Sequence, residues 1–344
     1  MGNPQLKLHR PALCSNTYGD VALGWVVSML RKANAKSLLT LDHMRLLRAG
    51  LLALGVLACR DSGRGAGDST RGSLPPISAS VPGNSTNWDL DAGPLMLVSM
   101  GNSADSAAVI LPDVSDSSIA AIQGTAAPVR GLVFDLFGRA GKLQSSKSVA
   151  AIPSDSTHDC YAWPLAGVRA ASTGWRVGFA SGHAQAIKLD SIEAMSSTDS
   201  ASLAASLART AATLPIASDP TFQGLPFRVR SAYIFRLDSI EVVIADVVRS
   251  VNEEANPRLE HLFIIAERPA ATTGKYTPAY YSRTAGAEET TQATEVLAAV
   301  LIGSSRRPAI VVNIENDDGR QLGLLERTAS GQWRSVWRSA YTDC

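Results

Sequence analysis

From residue 95 to residue 340 the chain is a succession of short apolar or alternating runs, each bounded by turn residues such as Gly, Asn, Asp and Ser. Runs of this length, rich in β-branched and aromatic side chains, are typical of strands, and most are too short for helices. The predicted strands are 95–99, 107–111, 129–137, 174–180, 184–189, 228–237, 240–251, 259–267, 309–314, 321–326 and 332–340. The sequence therefore predicts a mainly β domain built from antiparallel strands.

The connections between these runs carry recognisable turn chemistry. Ser181-Gly182 predicts a hairpin turn, and the polar segment 252–257 predicts the tip of a long hairpin. Residues 316–319 (Asn-Asp-Asp-Gly) and 328–331 predict the turns of a terminal meander. The first of these is only superficially similar to a calcium loop, because it lacks the alternating acidic positions and the closing Glu of that motif.

One helix is predicted among the strands. Ser196 to Asp199 offers N-cap residues, residues 200–213 are rich in Ala and Leu, and Pro215 ends the segment. Leu203, Leu207 and Leu214 form a narrow apolar stripe. We expect this face to lie on a sheet.

Two features leave alternatives open. The pentapeptide Leu-Asp-Ser-Ile-Glu occurs at 189–193 and again at 237–241, a spacing close to that of a propeller blade. Two copies of five residues can also arise by coincidence, so the repeat does not decide the architecture. We expect a sandwich-like or propeller-like domain, with the sandwich preferred. Residues 288–302 suit either a helix or a strand over 296–302.

Composition and charge limit the classes of protein to which the chain can belong. Mean hydropathy is +0.05, and no window holds the roughly 18 uninterrupted apolar residues of a spanning helix, which excludes a polytopic membrane protein. Of 32 basic and 31 acidic residues, seven basic and two acidic lie in 1–58. The remainder, 59–344, therefore carries a mild net charge of −4, which gives no reason to expect a nucleic-acid partner.

Residues 44–59 read, in order, as a short basic region, an apolar run and a cysteine. The apolar run 49–58 is too short for a permanent bilayer-spanning helix but suits the core of a signal peptide. The last four residues, Val-Leu-Ala-Cys at 56–59, resemble the lipobox of bacterial lipoproteins, and a polar, Gly-rich segment follows at once. A buried helix with Cys59 as a core thiol is the alternative.

The resemblance implies that the mature protein begins at Cys59 and that this residue carries acyl chains. Each buried methylene contributes about 0.8 kcal/mol, so several chains anchor the protein stably in a membrane. Arg60 stands where an Asp retains many lipoproteins in the inner membrane. The resemblance thus implies a cell-envelope address, in the outer membrane and facing the periplasm or the exterior.

A domain organisation follows from these segments. We expect an over-extended start or leader at 1–43, a signal peptide at 44–58, a flexible tether at 59–92 and a β-rich domain at 93–344, alternatively split into 93–195 and 221–344. Met44 would be the true start.

The four cysteines show no CxxC spacing, which excludes zinc-ribbon and thioredoxin-like motifs. If Cys59 is the first mature residue, Cys14 is removed with the leader, and Cys160 and Cys344 remain as a candidate disulfide in an oxidising compartment. Free thiols are the alternative.

The histidines offer no recognisable catalytic pattern. His158 lies two residues before Cys160, a spacing that puts both on one face of a strand, but two such groups do not make a nucleophilic or metal site. His183 is expected in a turn, and His261 on a solvated strand face. No nucleotide fingerprint or nucleophile elbow is present, so no cofactor and no metal are expected.

Trp333, Trp337 and Tyr341 recur every four residues near the end of the chain. In an unbroken strand all three share a face. They predict either an aromatic face that binds a sugar or peptide, or simple core packing of the terminal strand, which is preferred.

The sequence therefore favours a non-enzymatic, lipid-anchored envelope protein that binds a peptide, glycan or envelope protein or takes part in envelope assembly. A secreted or lipid-anchored hydrolase, with a site assembled from scattered residues, is the alternative. Carboxylates grouped with His158 or His183 in one cleft would favour the hydrolase, and an aromatic groove near Trp333 would favour binding.

Overall fold

The computed structural model of the chain describes residues 88–101, 105–125, 129, 131–152, 161–170, 173–215, 219–252 and 256–343. The predicted leader, signal peptide and almost all of the tether lie outside these residues. None of the helices that the structure describes has the length and apolar character needed to cross a membrane.

The described chain is built mainly from antiparallel strands, as the sequence predicted. The strands are β1 (Met96–Ser99), β2 (Ser106–Ile110), β3 (Val133–Gly138), β4 (Gly141–Ile152), β5 (Leu165–Val168), β6 (Val177–Ala180), β7 (Ala184–Ile187), β8 (Asp190–Ser191), β9 (Arg228–Leu237), β10 (Ile240–Val251), β11 (Arg258–Pro269), β12 (Thr277–Ala287), β13 (Ala293–Ile302), β14 (Arg307–Asn316), β15 (Gly319–Ala329) and β16 (Gln332–Arg338). The helices are α1 (Ile119–Ile122) and α2 (Ser197–Thr213), with 3-10 turns at Leu90–Ala92, Ile192–Ala194, Pro220–Phe222 and Glu288–Thr290.

The first six strands close into a barrel in the order β1-β2-β5-β4-β3-β6. Alternate side chains point inward and form a packed core that includes Leu97 of β1 and Leu136 of β3. A Cβ atom on Gly178 of β6 would lie 2.8 Å from Leu136 Cδ2 and 3.2 Å from Leu97 Cβ. The barrel interior is therefore filled by side chains at this level.

The remaining strands form two five-stranded sheets. The barrel-side sheet has the order β16-β15-β14-β13-β7, and one of its faces packs on the outer wall of the barrel. Its other face packs on the helix-side sheet, of order β12-β11-β10-β9-β8. Helix α2 covers the far face of the helix-side sheet. The layers thus run barrel, sheet, sheet, helix.

Helix α2 forms where the sequence predicted a helix. Ser196 caps it, because Ser196 Oγ accepts from the Asp199 backbone N–H at 3.2 Å and donates to Asp199 Oδ2 at 2.7 Å. Leu207 and Leu214 are buried against the helix-side sheet, as expected from the apolar stripe. The segment 288–302 is resolved as a 3-10 turn followed by strand β13.

The two facing sheets correspond to the predicted sandwich and not to a propeller, and the barrel was not foreseen. The repeated pentapeptide is not a repeated unit, since its first copy forms β8 and a 3-10 turn, whereas its second makes the β9–β10 turn. Ser181-Gly182 does not close a hairpin, because β6 belongs to the barrel and β7 to the barrel-side sheet.

Residues 88–92, which the sequence placed at the end of the tether, lie against the domain. The ring of Trp88 is 4.8 Å from the ring of Trp337, and Asp91 Oδ2 accepts from the backbone N and Oγ of Ser304 at 3.0 and 3.1 Å. Ala92 is fully buried. The division of the domain at 195 and 221 stays a prediction.

Candidate functional site

Several residues singled out from the sequence lie outside the described residues. These are the proposed lipid-attachment residue Cys59, the disulfide candidates Cys160 and Cys344, and His158. The lipid anchor and the disulfide therefore stay predictions.

The three aromatic residues near the end of the chain do not share a face. Trp333 is buried between the two sheets, whereas Trp337 is buried between the barrel-side sheet and the barrel. Leu324 pairs with Trp337 and the next residue of β15 pairs with Ser335, so Val336 forms a bulge that reverses the alternation of β16. The geometry assumed for an aromatic binding face is therefore not found, and the alternative of core packing describes both tryptophans.

Tyr341 follows the end of β16 and is half buried. Its hydroxyl donates to Asn316 Oδ1 at 3.0 Å, and partial burial raises the pKa of Tyr341, with Asp318 adding to the shift. This contact ties the end of the chain to the β14–β15 turn.

The two histidines of the domain that the structure describes, His183 and His261, lie in different environments. His183 lies in the turn between β6 and β7, as predicted, with Nδ1 3.0 Å from the carbonyl oxygen of Asp91. His261 was expected on a solvated face, but this prediction is wrong, since it is buried with Nδ1 3.3 Å from Asp246 Oδ1. Its strand, β11, lies inside the helix-side sheet and is covered on both faces, so polar alternation there does not mark solvent.

Glu267 of β11 joins the two sheets. Arg327 Nε donates to Glu267 Oε1 at 2.7 Å and Arg327 Nη2 to Oε2 at 3.0 Å. Trp333 Nε1 also donates to Oε1, at 2.7 Å, and the Gly331 backbone N–H donates to Oε2 at 3.0 Å. Burial raises the pKa of Glu267, but these donors and the Arg327 charge outweigh burial and hold the pKa below its ordinary value.

Other buried carboxylates are engaged in the same way. Tyr276 donates its hydroxyl to Glu241 Oε1 at 2.6 Å, and Arg268 donates to the same oxygen. Burial and this hydrogen bond to the carboxylate raise the pKa of Tyr276. Glu260 is fully buried between Arg249 and Arg283. These groups hold strands together and are not free to act on a ligand.

On the barrel, Asp135 of β3 is buried beside Lys142, whose Nζ lies 2.9 Å from Asp135 Oδ1. The hydroxyls of Ser145 and Ser181 donate to the same oxygen at 2.7 and 3.1 Å. Burial raises the pKa of Asp135, but the hydrogen bonds of Lys142 and Ser145 outweigh it and the pKa lies below its ordinary value.

A cavity of about 170 Å³ lies where the barrel wall meets the barrel-side sheet. Strands β1 and β2 form one wall, and β13, β14 and β15 form the other. The lining residues are Val98, Ser99, Gly101, Ala108, Ile110, Trp163, Arg176, Glu295, Leu297, Asn313, Glu315, Arg320, Gln321, Leu322 and Ser339. The lining thus combines an apolar wall with a group of charged and amide side chains.

The polar groups of this cavity stand in two neighbouring rows of the barrel-side sheet. Glu295, Asn313 and Leu322 are paired across β13, β14 and β15. In the next row Glu315 of β14 lies directly opposite Arg320 of β15. Because paired residues on one face bring their side chains together, the two rows concentrate polar groups at one end of the cavity.

Asn313 is the central polar residue. It is 8% exposed, and its Nδ2 donates to Glu315 Oε2 at 2.6 Å. Its Oδ1 is buried and has no hydrogen-bond partner in the structure. A carboxylate only accepts hydrogen bonds, so the contact with Glu315 assigns which amide atom is nitrogen and leaves the oxygen as an unused acceptor.

Two arginines line the cavity without a carboxylate partner among the residues that the structure describes. Arg320 donates from Nη2 to Met100 Sδ at 3.3 Å, and Arg176 is exposed beside β6. By contrast, Glu295 is ion-paired with Arg139. The cavity therefore presents two guanidinium groups next to an acceptor-rich pair, Asn313 and Glu315.

Sequence reasoning missed this site, although one signal was present. Asn313 interrupts an apolar run of β14, at a position whose strand neighbours Val311 and Val312 are buried. A buried amide in such a run is unusual and calls for a hydrogen-bond partner. The sequence could not show that β1 and β2 would face it.

A second, wider groove of about 1070 Å³ runs past the β9–β10 and β13–β14 turns. Both turns contain a non-glycine residue with a left-handed backbone, Asp238 (φ 46°) and Arg306 (φ 54°). Its other basic residues are already paired with acids: Lys188 with Asp190, Arg236 with Glu241 and Arg327 with Glu267. We therefore regard the smaller cavity as the better candidate site.

Within the described ranges no three His, Cys, Asp or Glu residues are grouped as metal ligands would be. No protein-family model matches the chain, and no curated protein and no solved structure matches it either.

Proposed function

We propose that the protein is a lipid-anchored component of the cell envelope whose β-rich domain binds a small ligand between the barrel and the barrel-side sheet. The observation that carries the proposal is that Asn313, a residue of the cavity lining, has a buried Oδ1 with no hydrogen-bond partner in the structure. A buried acceptor left unsatisfied costs about 1–3 kcal/mol, which a donor from a ligand would recover.

The chemistry of the lining favours binding over catalysis. Among the lining residues none is His, Cys or Lys. The Ser339 hydroxyl is held by its own neighbours, accepting from the Leu322 backbone N–H at 3.0 Å and donating to the Ala340 carbonyl at 2.8 Å. A serine nucleophile needs a base within hydrogen-bond reach, and Ser339 has none.

The anchoring part of the proposal depends on the lipobox-like segment ending at Cys59 and on the polar segment after it. Acylated Cys59 would hold the domain at the membrane, in our proposal the outer membrane, facing the periplasm or the exterior. A tether from 60 to the start of the domain near 88 would let the cavity stand off the lipid surface.

Mass spectrometry of the mature amino terminus tests the anchor. We expect a terminal peptide that begins at Cys59 and carries acyl mass. The Cys59→Ser variant should move from the membrane fraction to the soluble fraction, whereas Ser62→Ala, a control change in the polar segment just after Cys59, should stay in the membrane fraction. A mature terminus elsewhere, or a membrane-bound Cys59→Ser protein, would overturn the anchoring proposal.

Native mass spectrometry of the purified protein tests the binding function. We expect small molecules from the host to copurify with the wild type and to be lost in Val98→Phe, because Val98 lies on the face of β1 that packs towards the barrel-side sheet and the larger ring fills the cavity. Ser330→Phe, which adds the same ring in the wider groove, should retain them. Equal ligand content in wild type and Val98→Phe would contradict the proposed binding site.

A further inference from the structure

The polar groups of the cavity are of both signs, and they therefore select a ligand that carries two opposite charges. From this arrangement we infer that the ligand is a small zwitterion of the amino-acid type with an apolar side chain. The inference rests on the proposed binding function and names the class of ligand that the cavity selects.

The first charge is positive. Asn313 Oδ1 is an unused acceptor, and the Glu315 carboxylate lies beside it through the 2.6 Å hydrogen bond from Asn313 Nδ2. A neutral donor would satisfy the amide oxygen alone. An ammonium group has three N–H donors and a charge, so it satisfies the amide oxygen and the neighbouring carboxylate together.

The second charge is negative. Arg320 faces Glu315 across the β14–β15 pair, yet it contacts Met100 Sδ and takes no carboxylate among the described residues. Arg176 reaches the same cavity from the barrel. Planar guanidinium groups bind carboxylates with two parallel hydrogen bonds, so this pair marks the place of a ligand carboxylate.

The polar groups of the cavity favour a ligand that carries both signs. Arg176 and Arg320 are set against Glu315, while Glu295 is neutralised by Arg139 outside the cavity. A purely cationic ligand would meet the two arginines unfavourably. A purely anionic ligand would leave the amide oxygen unsatisfied beside Glu315.

The size and the apolar wall define the rest of the ligand. The wall is formed by Trp163, Leu297, Leu322 and Ile110. A volume of about 170 Å³ holds only a few water-sized groups of about 30 Å³ each, well below the roughly 300–1,000 Å³ of drug-sized sites. A single amino acid with a branched aliphatic side chain fits this limit, whereas an oligosaccharide does not.

Titration calorimetry with the purified full chain tests the inference. Leucine carries both charges, 4-methylpentanoate keeps its carboxylate, and 3-methylbutylamine keeps its ammonium group. We expect leucine to bind about tenfold or more tightly than either single-charge probe, because each probe loses charge-assisted hydrogen bonds.

Two arginine variants test the assigned roles. Arg320→Met should weaken leucine and 4-methylpentanoate about tenfold, and it should not weaken 3-methylbutylamine, because that cation is repelled by the arginine. If Arg320→Met fails to fold, Arg176→Met provides the same test at an exposed position. It should weaken the binding of leucine and 4-methylpentanoate. Arg334→Met, on β16 and outside the cavity lining, is the matched control and should bind all probes as the wild type does.

The outcomes separate this inference from the binding function beneath it. If either single-charge probe binds as tightly as leucine, the zwitterion inference is wrong, and the cavity still binds a ligand. If no probe binds, and wild type and Val98→Phe carry the same copurified molecules, both the inference and the proposed function are wrong.

Discussion

Trp333 of β16 donates its indole N–H to Glu267 of β11 across the space between the two sheets, with Nε1 2.7 Å from Oε1. Arg327 donates two further hydrogen bonds to the same carboxylate, and the Gly331 backbone N–H donates another. The partners of Glu267 thus all belong to the barrel-side sheet or to the β15–β16 turn. One carboxylate of the helix-side sheet thus joins the two layers. All the hydrogen bonds to Glu267 are charge-assisted, which makes this carboxylate a strong polar link between the sheets.

Glu267→Gln should destabilise the domain by roughly 2 kcal/mol, because the neutral amide loses charge-assisted hydrogen bonds and leaves the partly buried Arg327 without its counter-charge. Urea denaturation followed by tryptophan fluorescence measures the free energy of unfolding. Glu289→Gln, an exposed change in a 3-10 turn, is the control and should have little effect. A loss in Glu267→Gln no larger than in Glu289→Gln would show that the link contributes nothing.

The same carboxylate gives the stability a defined pH dependence. The folded pKa of Glu267 lies below its ordinary value of 4.5, so its contribution is fully present above about pH 4.5 and disappears as the pH falls through the lower folded value. Asp135 acts in the same direction below its ordinary value of 3.8. Unfolding free energies measured at decreasing pH should fall in this window, and less steeply in Glu267→Gln. Parallel curves for the two proteins would contradict the assignment.

Gly178→Ala should destabilise the domain by about 1–3 kcal/mol, because the added methyl group meets Leu136 and Leu97 inside the barrel. Gly274→Ala is the matched control, since its new Cβ would lie at an ordinary 3.4 Å from Thr272 Oγ1. Thermal unfolding of the two variants distinguishes them. Equal melting temperatures would mean that the barrel interior has room that the structure does not show.

The predicted disulfide between Cys160 and Cys344 can be tested by thiol labelling of the denatured, non-reduced protein. Both thiols should be blocked, and reduction should lower the free energy of unfolding by about 4–5 kcal/mol because the bond closes a long loop. Labelling of both cysteines before reduction would establish free thiols instead.

Some elements followed directly from local pattern. Strands β9 and β10 begin and end where alternation and flanking turns placed them, and helix α2 begins after its Ser196 cap. Strands β4, β5 and β12 were not predicted, and in β12 Pro278 and Gly286 argue against a strand. Strand β12 tolerates Pro278 for two reasons. It is an edge strand, and its pairing with β11 has a bulge next to Pro278.

The candidate site was beyond local pattern. Asn313 is visible as an amide in an apolar run, but the facing wall of the cavity comes from β1 and β2, more than 200 positions earlier in the chain. The pairing of β14 with β13 and β15, and the packing of that face on β1 and β2, are what bring Arg176, Arg320 and Asn313 to one cavity.

By itself the sequence determined that this chain forms antiparallel strands with one capped helix, because alternation, turn residues and capping act over a few neighbouring residues. Tertiary structure decided which strands close into the barrel, which faces are covered twice and which polar groups meet. A single bulge at Val336 turned Trp333 and Trp337 to opposite faces. Register and packing depend on contacts between distant segments, and burial of whole faces, not local pattern, selects among them.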